Sequence, residues 1–103
     1  MKIRTFALSA LMIAASSTAF AEDPAKLAQQ KGCLACHQID KKAIGPSYKE
    51  VANKYAGKPD ATEKLAKAIQ NGSTGVWGAM PMPKNNVTAA EATTLATWVL
   101  SQK

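Results

Sequence analysis

The chain has 103 residues, with 13 Lys and Arg against 7 Asp and Glu, 2 cysteines and 1 histidine. Two cysteines allow at most one bridge, which excludes a disulfide-rich scaffold. The formal net charge of +6 is carried by dispersed cations with no basic cluster interleaved with aromatics, which argues against nucleic-acid binding and fits a solvated surface that steers acidic partners.

Residues 1–21 read as a leader. Lys2 and Arg4 precede an apolar run from Phe6 to Ala15, and Ala19-Phe20-Ala21 offers the small residues cut by a signal peptidase. The run is shorter than the roughly 20 residues that cross a bilayer. Cleavage is expected after Ala21, with export to the periplasm, a mature domain over residues 22–103 and no membrane span in it. Lys2 and Arg4 account for 2 of the 13 basic residues, so 11 remain against 7 acidic ones and the mature charge is +4.

Asp23 and Pro24 suit the cap and first position of a helix expected from Pro24 to Gly32, with Leu27 and Ala28 inward and Lys26 and Lys31 outward. Gly32 is either a plain helix end or a point where another helix comes close. The helix delivers Gly32-Cys33-Leu34-Ala35-Cys36-His37, a Cys-x-x-Cys-His signature for c-type haem attachment. Its two thiols can add to the haem vinyl groups as thioethers, and His37 can then bind the iron.

The core inventory agrees with a bound macrocycle. No phenylalanine follows Ala21, large apolar side chains are few, and alanine fills much of the rest. Chains this small usually need a staple beyond their own core. A disulfide between Cys33 and Cys36 would close a trivial loop, whereas a haem would supply interior.

Residues 38–47 show no helical period and contain Lys41-Lys42 and Gly45-Pro46, so they read as a loop. A proximal histidine needs its second nitrogen hydrogen-bonded, and a carbonyl at the Gly45-Pro46 corner is a candidate acceptor. Tyr48 to Ala56 reads as a helix with Tyr48, Val51, Ala52 and Tyr55 on one face, taken as core packing, and Gly57 as its stop. Asp60 with Glu63 resembles a capping box opening a helix through Leu65 and Ile69 to Asn71-Gly72.

Between Gly72 and Val87, three glycines and two prolines exclude a regular helix. An aperiodic stretch of this length in a small domain is often functional. It holds Trp77, Met80 and Met82, and a methionine thioether facing a histidine across haem iron would fill both axial sites. Met82, stiffened between Pro81 and Pro83, competes with Met80 for that role. Trp77 is either a donor to a haem propionate or a buried aromatic; Asn85-Asn86 is either a donor to the ligating sulfur or a turn. Thr88-Ala89-Ala90-Glu91 forms a capping box for a last helix running close to Gln102, with Ala92, Leu95, Ala96 and Val99 inward, packed across the first helix.

These marks resemble the class I bacterial cytochromes c, in particular the small cytochrome c-551 and c-552 type. The resemblance spans the whole mature segment through the haem-binding motif, Ile44-Gly45-Pro46 with Tyr48-Lys49, Asn71-Gly72-Ser73, Gly75-Val76-Trp77-Gly78, Pro81-Met82-Pro83 and Trp98-Val99-Leu100-Ser101. It implies an all-α fold of about four helices wrapped around one covalent haem c, attached through Cys33 and Cys36. It also implies His37 and Met82 as axial ligands, Pro46 as the carbonyl holding the histidine, Trp77 as a propionate neighbour and Asn85 as a donor near the sulfur. Ala68 stands where some relatives carry an arginine close to a propionate.

The function implied is that of a monomeric periplasmic electron carrier, not an enzyme. Its donor would be another cytochrome or a quinol-cytochrome c oxidoreductase, and its acceptor a nitrite reductase in denitrification, with a cytochrome oxidase or cytochrome c peroxidase as alternatives. Three other classes fit the chain less well. A thiol oxidoreductase lacks the βαβ context, a zinc module lacks four ligands, and a haem gas sensor or peroxidase would need an open axial site.

Overall fold

The computed structural model describes residues 23–103; the expected leader lies outside them. Four α-helices follow in order: α1 (Pro24–Gln30), α2 (Tyr48–Tyr55), α3 (Ala61–Asn71) and α4 (Ala89–Leu100), with a single 3-10 turn over Cys33–Ala35 after α1. The only β pairing among the described residues is an isolated antiparallel bridge between Ser73 and Met82. The fold is therefore all-α, as expected.

α4 is the hub, because each of the other helices packs on it. Its start is fixed by the expected capping box: Thr88 Oγ1 accepts the Glu91 backbone N–H at 3.1 Å, and Glu91 Oε1 accepts that of Thr88 at 2.9 Å. Ala92, Leu95, Ala96 and Val99 are all buried. Leu95 meets Leu27 and Ala28 of α1, while Ala96 and Val99 meet Tyr48, Val51 and Leu65 from α2 and α3. Burial of a side chain such as Leu27 is worth about 1.5–3 kcal/mol, so a seven-residue helix that has little intrinsic stability is held by its contact with α4.

Two expectations need correction. α1 ends two residues early, since Gly32 takes φ +76° and turns the chain into the 3-10 segment. Of the two readings of Gly32, the helix end holds and the close contact does not, because a Cβ there would meet nothing within 4 Å. Asp60 makes no capping hydrogen bond to α3; its carboxylate is drawn instead to Lys64 at 3.1 Å, one turn along. That pairing holds the Asp60 carboxyl below its usual range, first through the hydrogen bond from Lys64. α2, by contrast, has a cap that was not anticipated, with Ser47 Oγ accepting the Glu50 N–H at 3.1 Å.

Candidate haem site

The Cys-x-x-Cys-His motif is folded into one tight turn. The N–H groups of Cys36 and His37 both donate to the Cys33 carbonyl, at 3.2 and 3.0 Å. This brings Cys33, Cys36 and His37 to the wall of one cleft. Both thiols are free and half-buried, and burial pushes the Cys33 thiol up.

The following loop is stitched back over the motif by backbone bonds. Gly45 N–H donates to the Cys36 carbonyl at 2.7 Å, Tyr48 N–H to that of Gln38 at 2.9 Å, and Lys49 N–H to that of Ile39 at 3.1 Å. Pro46 is buried as a result, with its carbonyl 2.7 Å from His37 Nδ1. A carbonyl can only accept, so Nδ1 carries the proton and Nε2 keeps its lone pair for a metal.

The loop from Gly72 to Val87 supplies another part of the wall. Ser73 and Met82 exchange both backbone hydrogen bonds, at 2.9 and 2.8 Å. The pairing closes the loop at its neck and fixes the Met82 backbone, leaving the side chain half-buried at the cleft. Met80 also reaches the cleft but is 68% exposed. Gly72, at φ +91°, lets the two ends of the loop meet: a Cβ there would stand 2.9 Å from the Met82 carbonyl oxygen.

Trp77 lies on the rim, with Lys54 Nζ of α2 4.8 Å from its ring centroid. Asn85 is turned toward α3, where its Nδ2 donates to the Ile69 carbonyl at 2.9 Å and its backbone N–H to the same oxygen at 3.2 Å. Ala68 lines the cleft without a charge.

Sequence reasoning placed Tyr48 in the core alone. It is 4% exposed, yet it also lines the cleft and stacks on His37, centroids 5.4 Å apart and planes 27° apart. Its hydroxyl is buried without a hydrogen-bond partner, and burial pushes the phenol pKa well above its usual range. The available signal was weak, since Tyr55 shares the stripe: only the rule that a buried phenol oxygen calls for a partner pointed beyond core packing. Gly45, Ser73 and Lys54 were missed for a plainer reason: their roles exist only once separate loops meet.

The cleft is open to solvent on one side and is walled by residues from all four helices and from the loops over residues 38–47 and 72–87. Aliphatic and aromatic side chains line most of it, together with two thiols, an imidazole presenting Nε2 and a thioether. That donor set fits a flat apolar macrocycle carrying iron and attached through sulfur.

Comparison with known proteins gives the same answer. The cytochrome c family model matches residues 21–103. The chain is 60% identical over 85 residues to cytochrome c-551 of Pseudomonas aeruginosa, covering 82% of each chain. It is 56% identical over 78 residues to cytochrome c-552 of Hydrogenobacter thermophilus, covering 76% of this chain and 80% of that one. The crystal structure of wild-type Nitrosomonas europaea cytochrome c552 superposes with a TM-score of 0.75 at 51% identity, covering 77% of this chain and 99% of that one. The chain belongs to the cytochrome c family and, within it, to the class I cytochromes of c-551 and c-552 type, monohaem electron carriers whose haem c is bound covalently through two cysteines.

Proposed function

We propose that this protein is a periplasmic shuttle, exported by its leader over residues 1–21 and acting as a monomer. It takes single electrons from a donor cytochrome or a quinol-cytochrome c oxidoreductase and delivers them to a nitrite reductase in denitrification. Haem c supplies the one-electron iron couple. Cys33 and Cys36 anchor it, His37 binds through Nε2 with the Pro46 carbonyl fixing its tautomer, and Met82 gives the second axial ligand. Trp77 on the rim donates toward a propionate, and Asn85 secures the methionine loop near the sulfur.

The observation that carries this reading is the paired hydrogen bonding of Met82 with Ser73. It holds the Met82 backbone at the wall of the cleft that His37 also lines, which supports Met82 as the second ligand. With His37 and Met82 both on the iron, no coordination site would be left for a substrate, which favours a carrier over a sensor or peroxidase.

Exposed Ile44, Val76 and Met80 with Lys42 at the cleft rim suit brief docking on an apolar patch bordered by positive charge. The test is turnover. Reduced protein is mixed with nitrite reductase, cytochrome oxidase or cytochrome c peroxidase, and oxidation is followed as salt is raised. Fast oxidation by nitrite reductase that slows with ionic strength is the expected result. Oxidation only by an oxidase or a peroxidase would move the carrier to a different chain of reactions.

A further inference from the structure

His37 is enclosed from three directions. The Pro46 carbonyl takes its Nδ1 proton at 2.7 Å. Gly45 leaves open the space into which a Cβ would project, 2.5 Å from Cε1. Tyr48 lies along the ring at a centroid separation of 5.4 Å and an interplanar angle of 27°.

These contacts do different things. A hydrogen bond through Nδ1 fixes where one ring atom points but leaves the ring free to tilt about that axis. A plane is fixed only by a body lying against it. Tyr48 is suited to be that body, because it is itself immobilised. Trp98 of α4 meets it edge-on, centroids 5.0 Å apart and planes at 66°, and only 4% of its surface is exposed.

We infer that Tyr48 is a positioning residue for the axial imidazole, its ring setting the plane of His37 and, through Trp98, tying that plane to α4. The inference rests on His37 binding iron, as proposed above. In a haem held by histidine and methionine the orientations of both axial ligands would set how the unpaired electron of the oxidised iron is spread over the macrocycle, so that, with the methionine unmoved, a turn of the imidazole plane would change the order of the haem methyl proton resonances.

The test compares haem-loaded wild-type protein with Tyr48→Phe, Tyr48→Leu and Tyr48→Met by proton NMR in the ferric state. Tyr48→Phe keeps the stacked ring and is expected to keep the wild-type order of methyl resonances. Tyr48→Leu and Tyr48→Met remove the ring and are expected to change that order while both axial ligands stay bound. A wild-type pattern in the ringless variants would overturn the inference, as would a change in Tyr48→Phe as large as theirs. Failure of both ringless variants to fold around haem while Tyr48→Phe does so would assign the ring to the core alone and contradict it too. A wild-type ferric spectrum without histidine and methionine ligation would instead defeat the functional reading, a separate and recognisable outcome.

Discussion

A Cβ on residue 45 would stand 2.5 Å from Cε1 of His37 and 2.8 Å from Nδ1, so a glycine here is a condition of the imidazole's position. Gly45→Ala is therefore expected to push the ring off the Pro46 carbonyl. Overpacking of this size costs about 1–3 kcal/mol. Denaturant unfolding of the haem-loaded protein should show that loss, and faster exchange of the Nδ1 proton should accompany it. Unchanged exchange would mean that the ring has room the geometry denies it.

Gly72 plays the matching part for Met82. Its φ of +91° with ψ of 169° lies in a region that essentially only glycine enters, and an added Cβ would press on the Met82 carbonyl oxygen at 2.9 Å. Gly72→Ala should cost on the order of 1–3 kcal/mol and open the Ser73–Met82 pairing. The expected readout is a fall in the fraction of ferric protein with methionine on the iron, measured by its long-wavelength absorption band.

Asn85 allows two roles to be told apart. Its amide donates to the Ile69 carbonyl at 2.9 Å, a bond that ties the end of the methionine loop to α3. Asn85→Ala should lower stability by about 1 kcal/mol through loss of that tie. A change in reduction potential without a change in stability would assign the amide to the sulfur rather than to the loop.

The cap of α4 gives a pH dependence whose sign can be worked out. The Glu91 carboxyl is held below its usual range, first by the backbone N–H of Thr88 and further by the charge of Lys31, whose Nζ lies 3.8 Å away. A depressed carboxyl stabilises the folded state above its unfolded pKa of about 4.3. That contribution is lost as pH falls through the lower, folded value. Glu91→Gln should therefore flatten the acid limb of the stability profile relative to wild type. Thr88→Ala should cost about 1 kcal/mol at neutral pH, seen as a lower denaturation midpoint.

The contrast between Thr88 and Asp60 shows what the sequence could reveal. Thr88 and Glu91 satisfy each other within one turn, so their box is a local property and is present as read. Asp60 had the same spacing to Glu63, but Lys64 one turn along offered a charged partner and took the carboxylate. The haem motif was legible for the same local reason, since thiols and imidazole are neighbours in sequence. Of the surroundings of His37, the Pro46 carbonyl was legible from the rigid Gly45-Pro46 corner. The open space at Gly45 and the stacking of Tyr48 were not, because both arise only when residues 38–47 are folded back over the motif by backbone bonds, and such bonds leave no trace in residue type. Tyr48 was legible as core and illegible as a neighbour of His37, because a helical stripe shows which face is inward but not what stands opposite it.

The most direct test of the central claim, that His37 and Met82 together close the iron to substrates, is the absorption spectrum of the ferric haem-loaded protein and its Met82→Ala variant. Wild-type protein should show the methionine-to-iron band and refuse exogenous ligands such as azide or imidazole at low concentration. Met82→Ala should lose the band and bind them readily. A wild-type protein that lacks the band, or a Met82→Ala variant that retains it, would contradict the account.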